Sequence, residues 1–189
     1  MESPMDILSP RAREILSVNP SAYQSLVVRG SGNDRAKQLL DELSPKDIFL
    51  ENASKSEELR NATLAGLWLF HDWLDESHTL SQSIHSATGS FWHAIMHRRE
   101  GDFSNSKYWY ARAAGHPVLP ILAAQAGSVV NQSPADKSLL RLIASGWNPN
   151  AFVDLVESLH TDEGDARYSL AVRLQQLEWK VLFEFCARP

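Results

Sequence analysis

The chain has 189 residues, which suits one domain with a sizeable core. Hydrophobic residues make up 43% and charged residues 22%, so global disorder is excluded. The formal net charge is -5 and no block of Lys or Arg stands out, so the basic footprint of a nucleic-acid binder is missing.

The single cysteine, Cys186, excludes an internal disulfide framework and a Cys-based zinc site. It lies on an apolar terminal segment and reads as an inert core thiol. Met1-Glu2-Ser3-Pro4-Met5-Asp6 has neither the basic start nor the apolar run of a secretory signal, so a cytoplasmic protein is expected. The most apolar window, Ala62 to Phe70, is too short for a bilayer, and no membrane partner is expected.

The elements read in chain order as helices. Residues 1–32 are expected to pack loosely, with a short helix from Pro10 to Ser17 and a flexible turn at Gly30-Ser31-Gly32. Asn33 or Asp34 caps a helix that runs to Leu43. Ser44-Pro45 starts a short turn. Ser56 precedes a long helix to about Leu74, apolar on every side between Ala62 and Phe70 and therefore central. Thr88 or Ser90 opens a helix that ends at Gly101. Ser104 opens another that ends at Gly115. Further helices are expected at 119–130, 134–145 and 149–160, two of them with a cap followed by Pro at Ser133-Pro134 and Asn148-Pro149. The last runs from Asp165 to Cys186, with Leu170, Leu174, Leu177, Val181 and Phe185 as its stripe. Only Leu26-Val27-Val28 hints at a strand. The pattern predicts an all-α, single-domain irregular helical bundle over residues 1–189.

Two constellations carry chemistry. His71, Asp75 and His78 sit at i, i+4 and i+7, on one face if the long helix continues that far. His93, His97 and Glu100 repeat the spacing on the next helix. Imidazole with carboxylate suits zinc, iron or manganese, and two neighbouring helices can bring such ligands together around a divalent metal ion. In the competing reading, His71 is a buried neutral histidine bonded to Asp75. His93, His97 and Glu100 then lie opposite the Phe91, Trp92, Ile95 and Met96 arc and face water. If the connection from Thr79 to Ser90 returns the chain antiparallel, His71, Asp75 or His78 should approach His97 or Arg98.

The second constellation is FWHAIMHRREGDFSNSKYWYARAAGHP, residues 91–117, rich in aromatics, His, Arg and acids. Aromatic walls with a few polar groups are what ligand pockets use. The ligand-binding candidates are Arg98, Asp102, Asn105, Tyr108, Tyr110, Arg112 and His116. Arg98, Arg99, Lys107 and Arg112 suit an anionic group, and Tyr108, Tyr110 and His116 suit hydrogen bonding or proton transfer. An interhelical polar network that only fixes packing is the alternative.

Ala94, then Gly101-Asp102-Phe103, then Ser106, Tyr110, Ala113 and Pro117 resemble one tetratricopeptide helical hairpin near residues 91–114. A shift by the 34-residue period lands on Arg60, Leu67 and Thr79, which do not fit, so no repeat array is expected. The 91–117 block, WNPNAFVDLVE from Trp147 and LQQLEWKVLFEFC from Leu174 together resemble a family of uncharacterised bacterial and fungal proteins over roughly residues 60–186. That resemblance implies importance for the block and assigns no role to any residue.

The leading functional expectation is a helical enzyme or small-molecule-binding protein, with a pocket from residues 71–117 and a divalent metal ion as the candidate cofactor. The alternatives are a protein–protein interaction module of tetratricopeptide type and a structural domain with a buried polar network. No GxSxG, GxxxxGK or GxGxxG motif names a reaction. Six tryptophans and an apolar terminal helix leave a homodimer open.

Overall fold

A computed structural model describes residues 6–19, 22–51, 53, 55–131, 139 and 141–188. Among them are nine α-helices: α1 (Pro10–Ser17), α2 (Asp34–Asp41), α3 (Glu57–Phe70), α4 (Leu74–Ser83), α5 (Ala87–Glu100), α6 (Phe103–Arg112), α7 (Val118–Asn131), α8 (Pro149–Leu159) and α9 (Tyr168–Ala187). A 3-10 turn covers Pro45–Asp47. Among the described residues β pairing is limited to isolated bridges such as Leu8 with Phe49, so the fold is all-α and Leu26-Val27-Val28 joins no sheet. Of the helix expected over 134–145, residues 134–138 and 140 lie outside the described residues, and residues 141–145 form turns rather than helix. No described helix is long and apolar enough to cross a membrane.

The helices start where short polar side chains take over the unpaired N–H groups of the first turn. Ser9 accepts from Ala12 N at 3.2 Å, Asn33 from Ala36 N at 2.8 Å and Ser56 from Leu59 N at 3.2 Å. Asn148 does the same for Ala151 N at 3.1 Å. At the other end of α5, Gly101 adopts φ +92, a left-handed conformation that costs glycine nothing and stops the helix.

Helix α3 is the centre, with every residue from Ala62 to Leu69 buried. It packs against α4, α5 and α9. Gly66 makes the approach of α5 feasible: a Cβ there would lie 2.8 Å from the Trp92 ring. The Gly66 carbonyl accepts the Trp179 indole N–H of α9 at 2.9 Å. Helices α5 and α6 form an antiparallel hairpin, in which Ser106 donates to the Ala94 carbonyl at 2.8 Å. The segment before α2, expected to pack loosely, places Leu8, Ala12, Ile15, Tyr23 and Leu26 in the core, each at most 1% exposed.

The long helix expected to run to Leu74 ends at Phe70, which changes the histidine geometry. Asp72 adopts φ +67, a left-handed conformation that a short polar side chain tolerates, and it is paired with Arg99. The Trp73 indole N–H is tied to the Asn33 carbonyl at 3.0 Å. Helix α4 then starts afresh and takes in residues 79–83 of the stretch, Thr79 to Ser90, expected to be the connection.

Candidate metal centre

Helix α4 packs against α5, and α5 against α6. His78 of α4 meets His93 and His97 of α5 there, with ring centroids 4.6 Å and 5.3 Å away. His93 and His97, four residues apart on one helix, stack at 4.7 Å. One ring nitrogen from each of the three lies within 4.8 Å of the other two. His93 and His97 are buried and His78 is half-buried.

The three rings differ in their partners. His93 is 1% exposed, and neither ring nitrogen has a hydrogen-bond partner. An unpaired buried polar group costs about 1–3 kcal/mol, so this ring calls for an explanation. One face of it lies on the Trp109 indole of α6, centroid to centroid 3.9 Å. Burial, with the His97 and His78 rings adding to it, pushes His93 down to about 3, so it is neutral at physiological pH. His97 Nδ1 lies 2.9 Å from Glu100 Oε2, one turn on. Burial lowers the His97 pKa as well, with Glu100 opposing. The Asn105 amide nitrogen lies 3.1 Å from His97 Nε2 and 3.5 Å from Nδ1. A donor in the ring plane along one lone pair cannot sit that close to both nitrogens. The amide therefore lies over the ring face, and the in-plane lone pair of Nε2 stays available.

The other metal candidates lie elsewhere. His71 closes α3 and its Nε2 lies 2.9 Å from the Ile15 carbonyl, not against Asp75. Burial lowers its pKa, opposed by that carbonyl. Asp75 is exposed in the first turn of α4. The break at Asp72 is the reason: it removes the shared face that one continuous helix would have given His71, Asp75 and His78. His93 and His97, which sequence reasoning placed opposite the apolar arc, do not face water, because α5 is buried on every side from Thr88 to Arg99.

The seven ligand-binding candidates fall into separate surroundings. Arg98 and Tyr110 sit in a buried triad with Glu178 of α9: Arg98 Nη2 donates to Glu178 Oε2 at 2.5 Å and Nη1 to the Tyr110 hydroxyl at 2.5 Å. Tyr110 donates to Glu178 Oε1 at 2.9 Å. Burial works against the Arg98 charge, but Glu178, together with Tyr110 and Tyr23, more than offsets it and raises the pKa. Burial also holds the Tyr110 hydroxyl well above its ordinary range, with Arg98 opposing. Asp102 caps α6, accepting from Asn105 N at 3.1 Å. Asn105 is at the histidine cluster. Tyr108 and Arg112 are exposed, the guanidinium 5.9 Å from the Tyr108 ring. His116 is buried, bonded to Thr88 Oγ1 at 3.1 Å and accepting from Val118 N at 3.2 Å.

Sequence reasoning missed Glu178, Gln175, Asp72 and Trp109. Glu178 and Gln175 had a signal: they share one face of α9 with Ala171, Leu174 and Leu182, all buried. Two polar groups inside an apolar stripe need buried partners, and Glu178 takes Arg98 while Gln175 donates to the Ser25 carbonyl at 2.9 Å. No family model, curated protein or solved structure matches the chain.

Proposed function

We propose that the protein binds a transition-metal ion through His78, His93 and His97. The observation that carries the reading is His93: a neutral imidazole, 1% exposed, unpartnered at both nitrogens, and within reach of two more imidazoles. A metal ion supplies what that nitrogen lacks. Imidazole nitrogens favour zinc, copper, nickel or cobalt over magnesium and calcium, which prefer oxygen. Three nitrogens about 2.1 Å from one tetrahedral ion are about 3.4 Å apart, so the present 4.8 Å limit leaves only a small side-chain closure. Three protein ligands leave a fourth position for water or a small-molecule donor, the arrangement of catalytic rather than structural zinc sites. His78 and the exposed Glu100 lie on the solvent side of the cluster.

The stacking of His93 on Trp109 favours a second reading, in which the cluster is a packing network. One experiment separates the two. The protein is stripped with a chelator and titrated with Zn2+ by calorimetry and with Co2+ by visible absorption. The metal reading expects one ion per chain, a melting temperature that rises with metal, and uptake lost in His93→Ala and His78→Ala. No stoichiometric uptake by the folded chain, together with a stable His93→Phe variant, would establish the packing network instead.

A further inference from the structure

We infer that Glu100 is the positioning residue of this site: it fixes His97 in the form that presents Nε2 to the ion. The inference rests on the metal-binding reading and concerns a residue outside the ligand set. Glu100 ends α5 one turn after His97, where a helix brings side chains i and i+3 together. Its Oε2 lies 2.9 Å from His97 Nδ1. A carboxylate offers only acceptors, so the proton of this bond sits on Nδ1. A neutral ring with its proton on Nδ1 keeps its lone pair on Nε2. The Asn105 amide, lying over the ring face, leaves that lone pair open in the plane where an ion must sit.

The arrangement is the carboxylate–histidine–metal relay that fixes ring orientation and raises ligand basicity. His93 has no such partner: both its nitrogens are unpaired, and Trp109 lies on its face. His97 is therefore the pre-oriented ligand and His93 the one that gains its first polar partner on binding. The Glu100 side chain is 51% exposed, so its replacement leaves the core intact. It also lines a cleft of about 290 Å³ with Asp72, Asp75 and Glu76, so the carboxylate stands between solvent and His97.

The test has two readouts on the full chain. Two-bond 15N–1H spectra of the metal-free protein report which His97 nitrogen is protonated. Competition with a chromophoric chelator reports the Zn2+ affinity. Wild type should show protonated Nδ1 on His97. Glu100→Leu should move the proton toward Nε2, and Glu100→Gln should weaken Zn2+ binding by about 10- to 100-fold with one ion per chain retained. In a His97→Ala background Glu100→Gln should add nothing. Wild type that binds Zn2+ with Nε2 protonated on metal-free His97, or with affinity unchanged in Glu100→Gln, overturns this inference alone. Wild type that takes up no metal overturns the metal reading with it. A weakening by Glu100→Gln that persists undiminished in the His97→Ala background makes Glu100 a direct ligand and also overturns the positioning role.

Discussion

Replacing Glu178 with Gln tests the deepest electrostatic feature of the molecule. Arg98 and Glu178 are both at most 1% exposed, and the Glu178 carboxylate accepts from Arg98 and from Tyr110. Gln keeps one acceptor oxygen but loses the charge, and its amide N–H group opposes a guanidinium donor. Breaking a buried pair from one side costs about 3–5 kcal/mol, because the remaining ion is left buried and unpaired. Against a typical total stability of about 5–15 kcal/mol this is a large fraction. At a urea slope of about 2–3 kcal/mol/M the unfolding midpoint should fall by about 1–2 M. Substituting all three polar members together, as Arg98→Met, Tyr110→Phe and Glu178→Leu, should recover most of the loss, since no charge or hydroxyl is then stranded. Urea unfolding at neutral pH, followed by tryptophan fluorescence and by circular dichroism, gives both numbers. A loss below about 1 kcal/mol for Glu178→Gln would refute the reasoning, for it would mean that water reaches Arg98.

Metal uptake in the Zn2+ titration should be lost in His93→Ala, which removes one of the three ring nitrogens. Gly89→Ala should cost about 1–3 kcal/mol or more in urea unfolding, because the added Cβ would lie 2.1 Å from the Ile84 carbonyl oxygen. Asp102→Ala should cost about 1 kcal/mol by the same measurement, since the carboxylate caps α6. Burial pushes His116 down to about 4, below its ordinary 6.5. A depressed pKa means that the unfolded chain takes up the proton first, so the contribution is complete above pH 6.5 and is lost as pH falls toward 4. Between pH 7 and pH 5 that loss is about 2 kcal/mol, and in His116→Gln the pH dependence of stability over this window should shrink by that amount.

Where the determinants of structure are local, the residues announce them. The starts of α1, α2, α3 and α8 are legible because the capping residue and the N–H that it satisfies are three positions apart. The all-round apolar run from Ala62 to Phe70 is legible for the same reason: only a central helix hides every side of itself, and residues 62–69 are buried. The end of α3 is different. Asp72 is held by Arg99, which is 27 positions away, and Trp73 by Asn33, which is 40 positions away. No local pattern at residues 70–74 carries that information, so the helix reads as continuous, and the grouping of His71 with Asp75 and His78 follows from that reading. The burial of the N-terminal segment is likewise a long-range matter: Val28 N bonds to the Arg99 carbonyl, and Gln175 and Gln176 hold the Ser25 and Tyr23 carbonyls.

Helix α5 inverts the usual rule that the polar face points to water, and the inversion gives the histidine cluster its meaning. Residues 88–99 are all buried, because α3, α4, α6 and the strap around Val28 enclose the helix. Each polar side chain along its last two turns must then find a partner or remain unpaired inside. Arg98 finds Glu178, Arg99 finds Asp72 and His97 finds Glu100. His93 finds none. If the helix were built only for packing, an apolar residue at position 93 would fill the same space against Trp109 without stranding two ring nitrogens. Two further imidazoles stand beside the one side chain of this set that lacks a partner. Their spacing brings one ring nitrogen of each into a common volume, all within 4.8 Å of one another. A cation bound in that volume would give His93 the partner it lacks, so the case for a metal site rests on His93 and not on the number of histidines.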